Sequence, residues 1–154
     1  MNALLFRLAF ALAAPFWALM ILAPRWRWTR RIAASPLIVL APLSIWPVAI
    51  GSDFGPFATE MLNPDLDGVR ALFASPGVVT AVWAHLIAFD LFIGRWMYLD
   101  ARDRGLHPLV VSPILFLTIF LSPIGLTLYL AVRTLRRPPP GSTPALSGPA
   151  QHPR

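Results

Sequence analysis

Apolar positions in this chain gather into four long runs. Ala3 to Pro24 holds one charge, Arg7, near its start. Ile32 to Ser52 holds none, Pro76 to Leu99 holds Asp90 and Arg95, and Gly105 to Val132 holds none. A bilayer core of ~30 Å needs about 20 mainly apolar residues in a helix rising about 1.5 Å per residue. Each run meets that length. The runs are continuous rather than alternating, which argues against a membrane β-barrel, and helices are then the remaining way to satisfy the backbone in lipid. The pattern predicts an all-α integral membrane bundle of four transmembrane helices, over about 3–24, 32–52, 76–99 and 105–132.

Local signals refine this picture. Ala11-Leu12-Ala13 offers a small-x-small cleavage site, but the apolar run continues past it and no basic region precedes it, so the first run reads as a retained span. Pro15, Pro42, Pro47, Pro113 and Pro123 fall inside spans and read as kinks, each freeing the carbonyl four residues earlier. Between spans two and three, Asn63-Pro64-Asp65 reads as a cap with proline in the first turn. Leu66, Val69, Leu72 and Phe73 then share one side of a short helix lying on the membrane surface. Ser75-Pro76 is a second cap. The membrane domain is 1–137, and 138–154, rich in Pro, Gly and Ser, reads as a disordered tail.

Composition agrees with a membrane location. Hydrophobic residues make up 56% and charged residues 13%, with a mean hydropathy of +0.64. Soluble domains carry about 25% charged residues. All 13 basic residues are arginine, and the formal charge is +6. The arginines cluster at the ends of apolar runs, where helices meet head groups, rather than on one solvated face. That placement argues for a lipid bilayer as partner and against nucleic acid. Arginine counts near the spans, seven against five, favour both termini outside, with Asp53, Glu60, Asp65 and Asp67 facing outward. Richness in Ala, Arg and Pro without Lys points to a bacterial inner (plasma) membrane protein. There is no cysteine, hence no disulfide or thiolate chemistry.

The third run is the least lipid-like. A charged residue at mid-bilayer costs about 2.5–3.5 kcal/mol on insertion scales, and folding has no need of Asp90 there. The expectation is that Asp90 faces the bundle interior and finds a partner, as a proton carrier or as a clamp between helices. At ~100° per residue, His85 and Asp90 stand about 140° apart, as do Asp90 and Arg95. Gly94, four residues from Asp90, leaves a bare backbone patch that admits a helix or a ligand. His85 shares a stripe with Phe89, Phe92 and Trp96, near Trp83, and is either packed there or meets a flat apolar ligand. Arg95 snorkels to head groups or acts as a charge partner. Tyr129 and Arg133 are i,i+4 neighbours that anchor at the interface or face one pocket. Asp100, Arg102, Asp103 and Arg104 read as a solvated ion-pair network.

Metal-ligand spacing, G-x-G-x-x-G, P-loop and G-x-S-x-G motifs are all missing from the sequence. No cofactor is expected. Acid–base chemistry without a cofactor, or binding alone, remains.

The stretch from His85 to Asp100, with Phe89-Asp90-Leu91-Phe92 and Gly94-Arg95-Trp96, resembles the signature of the abscisic-acid-deficient-four-like family. Pro15-Phe16-Trp17 with Ala23-Pro24-Arg25-Trp26, Leu66-Asp67-Gly68-Val69 with Leu72-Phe73, and Ser122-Pro123-Ile124-Gly125-Leu126 with Leu128-Tyr129-Leu130 and Arg133 extend the resemblance in order over about residues 3 to 137. Plant members are required for making neoxanthin from violaxanthin in plastid membranes. The resemblance therefore implies a carotenoid or related isoprenoid ligand and an isomerisation that opens a 5,6-epoxide and removes a nearby ring-side proton. Such a step needs a general acid at oxygen and a base at carbon. The matching positions nominated for catalysis are His85, Asp90 and Arg95. Those nominated for substrate binding are Trp83, Phe89, Phe92, Gly94, Trp96 and Tyr129. A non-catalytic membrane scaffold is the competing reading, and a small transporter a third, disfavoured by the short chain and lack of inverted repeats.

Overall fold

A computed structural model describes residues 1–135 of the chain, and the expected disordered tail at 138–154 lies outside the described residues. The described part is all-α. Helix α1 spans Asn2–Leu22 and α2 spans Arg27–Ala34. A helical run over Pro36–Leu62 follows. It contains α3 (Leu40–Leu43), α4 (Ile45–Ile50) and α5 (Phe54–Leu62), with 3-10 turns at Pro36–Val39 and Gly51–Asp53. Pro36, Pro42, Pro47 and Pro56 withhold amide donors along this run, so it is segmented rather than smooth. Helix α6 (Leu66–Leu72) is the short helix expected between spans, with Asp65 rather than Asn63 as its cap. The Asp65 carboxylate accepts from the amides of Asp67 and Gly68. Helix α7 (Pro76–Asp103) starts as expected at Ser75-Pro76, the Ser75 hydroxyl accepting from the Gly77 amide.

Three helical stretches are long and apolar enough to cross a membrane: Asn2–Leu22, Pro36–Leu62 and Pro76–Asp103. The second begins later than expected because Ser35, in extended conformation, separates it from α2. It also runs on to Leu62, through residues expected to lie in a loop.

The expected fourth span is not one helix. It is α8 (Pro108–Phe120, 13 residues) and α9 (Ser122–Leu135, 14 residues). Each is ~20 Å long, short of a ~30 Å core. The break has a physical cause. Pro123 cannot donate to Ile119 and disfavours helical geometry at the residue before it, and Leu121 adopts φ −136°, ψ 65°. Gly125 is buried, and a side chain there would collide with Thr118 of α8. The two helices therefore fold against each other as a hairpin. Leu121 stays satisfied within it, its amide bonding Leu117 at 2.9 Å and its carbonyl accepting from Gly125 at 2.9 Å.

The hairpin changes the topology. The end of α1 meets the end of α7, where the Pro24 carbonyl accepts from Tyr98 and Arg102. The start of α8 lies there too, with Arg25 and His107 3.1 Å apart. So does the end of α9, where Arg133 reaches Asp100 at 3.0 Å. The described chain thus begins at one end of the bundle and ends at the other, unlike the even-span arrangement expected. The arginine-rich end holds Arg25, Arg27, Arg30, Arg31, Arg95, Arg102, Arg104 and Arg133, and the other end holds Arg7 and Arg70.

Helix α7 is the centre of the core. Its buried residues Val78, Ala81, Ala84, Ala88, Leu91, Gly94, Met97, Tyr98 and Ala101 meet the other long helices on several sides. Ala9, Ala13, Trp17 and Met20 of α1 form the opposing face. The small residues let the backbones approach closely, as is usual where lipid supplies no hydrophobic drive between helices.

Candidate functional site

The α7 positions singled out from the sequence fall on different faces. The stripe is real: the His85 and Phe89 rings stack with centroids 4.5 Å apart at 26°. Phe89 and Phe92 are 55% and 49% exposed. With Val39, Leu43 and Ala88 they border an entirely apolar groove of about 190 Å³ between α3 and α7. This is the outer surface of the bundle, where the His85 imidazole lies stacked on Phe89.

Asp90 lies roughly 20 Å from either end of α7, by helical rise, and is half-buried. It makes no ion pair among the described residues. Its polar neighbour is the buried hydroxyl of Ser122, at the turn of the hairpin. The hairpin tip thus brings a hydroxyl to the mid-span carboxyl. The structure does not bring His85 or Arg95 to it. Arg95 is no charge partner of Asp90, because it turns toward α2 and donates to the Ala34 carbonyl at 2.7 Å. The approach that Gly94 permits is made by Trp17 of α1, whose ring would collide with any side chain there. Trp83 stacks on Phe6 at 4.9 Å, its buried Nε1 unpartnered.

Further along the same stripe, sequence reasoning missed a second polar centre. The Asp100 carboxylate accepts from the Tyr129 hydroxyl at 2.6 Å, from Arg104 Nε at 2.8 Å and from Arg133 Nε at 3.0 Å. Trp96 meets Tyr129 edge-on with centroids 5.6 Å apart, and the Arg133 guanidinium lies over the Trp96 ring. Tyr129 and Arg133 do face one place together, and it is this carboxylate. The expectation of a solvated network fits Asp103, paired with exposed Arg30 at 3.1 Å, but not Asp100, whose side chain is only 17% exposed. The signal available was spacing: Asp100 is four residues from both Trp96 and Arg104. Among the described residues no group of three His, Asp or Glu is placed to hold a metal ion.

The profile of the family described as ABA DEFICIENT 4-like matches residues 4–129. The chain belongs to the ABA DEFICIENT 4-like family. It is 29% identical over 101 residues to the protein ABA DEFICIENT 4, chloroplastic, of Arabidopsis thaliana, over 60% of this chain and 45% of that relative. The chain therefore spans less than half the length of the curated relative it matches. No solved structure matches. The matched residues include nearly all of the three long apolar helices, the hairpin turn, and Asp90 and Asp100 of α7.

Proposed function

We propose that this ABA DEFICIENT 4-like membrane protein binds a carotenoid or related isoprenoid along the outer face of α7 and isomerises it by acid–base chemistry without a cofactor. The observation that carries the reading is Asp90, a mid-span carboxyl with no ion-pair partner among the described residues and only the buried Ser122 hydroxyl beside it. An ionisable group in that position is costly and is by default functional. Together the two groups can bond a neutral polar end-group, such as a hydroxyl or an epoxide, which the plain hydrocarbon around them cannot. Phe89, adjacent to Asp90 in sequence, lines the apolar groove, so a polyene in the groove and a ring crossing Phe89 toward Asp90 suit the two ends of one ligand. In this reading Asp90 carries the proton. His85, on the aromatic face, meets the ligand from the side, and Trp96 and Tyr129 close the lower end of the stripe.

The divergence of His85, Asp90 and Arg95 favours the second reading, a non-catalytic membrane subunit that assists another enzyme. One experiment separates the two. The chain is expressed in a violaxanthin-producing strain and the pigments are compared with Asp90→Asn and His85→Ala. An enzyme gives a new pigment, reduced by roughly 10²-fold or more in Asp90→Asn, the span expected for loss of a general acid or base. A scaffold gives no pigment change in that strain. Conversion that survives both substitutions removes Asp90 and His85 from the site.

A further inference from the structure

A second cleft lies at the arginine-rich end, away from Asp90. It occupies about 270 Å³ between the ends of α1 and α7 and the start of α8. Its floor is apolar, with Met20, Leu106 and Val111, and its rim carries Arg25, Arg102 and His107. A neighbouring hollow of about 290 Å³ shares Pro24, Arg25, His107 and Pro108 with it, so the same cationic wall serves both.

The charge at this wall is uncompensated. Among the described residues no carboxylate lines either hollow. The nearby acids are engaged elsewhere, Asp100 by Arg104 and Arg133 and Asp103 by Arg30. Arg25 contacts His107 at 3.1 Å, while Arg102 is held by the Pro24 carbonyl and lies 3.5 Å from the Tyr98 hydroxyl. Two guanidinium groups and an imidazole from three separate segments thus converge above an apolar floor. Tyr98 and Ala101, near the end of α7, put the cleft where the span leaves the hydrocarbon. Guanidinium groups bond phosphate oxygens through paired donors, and basic pockets between membrane helices at this depth take lipid head groups. The volume is below the roughly 300–1,000 Å³ that encloses a whole small-molecule ligand, which suits a head group whose chains remain in the bilayer.

From this arrangement we infer that the cleft binds an anionic phospholipid, one whose head group carries no cation to balance its phosphate, with the phosphate on Arg25 and Arg102 and the first methylenes on Met20 and Val111. The full chain, purified in neutral detergent and stripped of lipid, is titrated with phosphatidylglycerol, phosphatidylcholine and inorganic phosphate. Native mass spectrometry reads bound lipid and tryptophan fluorescence reads thermal unfolding. Phosphatidylglycerol should bind about tenfold tighter than phosphatidylcholine, and Arg25→Gln should weaken it by about tenfold, the loss of one charge-assisted bond. Arg27→Gln, outside both hollows, should leave it unchanged. Arg102→Gln should weaken it as well, but Arg102 also ties α7 to Pro24, so Arg25→Gln is the deciding variant. Equal losses in Arg25→Gln and Arg27→Gln would mean diffuse surface charge and overturn the site. So would equal affinity for the two lipids. Protection by inorganic phosphate equal to that by phosphatidylglycerol would assign the cleft to a free anion and overturn the lipid.

Discussion

Two carboxylates on one helix have opposite surroundings. Asp100 is bonded by three side chains, two of them cationic, whereas Asp90 has a serine. The saturated one is structural. Tyr129→Phe keeps the ring against Trp96 and removes only the 2.6 Å bond, so it should cost about 1–2 kcal/mol of stability in detergent. Asp100→Asn strips the partner from Arg104 and Arg133, and should cost on the order of 2 kcal/mol after allowance for partial screening. Thermal unfolding checks both, and no change in either would remove Asp100 from the framework. Asp90 was legible in the sequence because a charge inside an apolar run has few explanations. Asp100 was not. It stands at the end of the run, among Arg102, Asp103 and Arg104, and of its three bonding partners only Arg104 is local, while Tyr129 and Arg133 are 29 and 33 residues away in the chain. Nothing local tells a carboxylate clamped from another helix from one in water.

Among the elements, the first and third apolar runs became helices close to their expected bounds, because length and hydropathy decide a span almost alone, while the second is shifted and segmented over Pro36–Leu62. The fourth run misled for the same reason. Its hydropathy is continuous through residues 105–132, and Pro123 read as one more kink. What turns a kink into a hairpin is the combination of Leu121 outside helical geometry, Pro123 and the buried Gly125 against Thr118. Gly125→Leu should therefore force α8 and α9 apart, at a cost of about 1–3 kcal/mol or more, typical of overpacking. The same substitution should also move Ser122 away from Asp90. Thermal unfolding together with cysteine crosslinking between positions 118 and 126 reads the separation. An unaltered crosslinking rate in Gly125→Leu would contradict the packing described for the hairpin.

For the whole molecule, the hairpin resolves the arginine distribution. A four-span chain left the counts near balance. With three crossings, eight arginines of the described residues gather at one end and two at the other. Cytoplasmic ends carry the excess of basic residues, so the end with Arg25, Arg102 and Arg133 should face the cytoplasm and α6 the other side. The chain has no cysteine, so single substitutions report cleanly. Asn63→Cys should react with a membrane-impermeant maleimide on intact cells, and Thr134→Cys only after permeabilisation. Labelling of Thr134→Cys on intact cells would restore the even-span topology.

The outer face of α7, as the seat of an isoprenoid ligand, is the surface on which the proposed function depends. Photocrosslinking addresses it most directly. A photoreactive carotenoid analogue, added to the detergent-purified full chain and mapped by mass spectrometry, should label the stretch from His85 to Trp96. Unlabelled carotenoid should compete, and Asp90→Asn should lower the yield several-fold. Labelling spread evenly over the exposed faces of α1, α8 and α9, without competition, would contradict it.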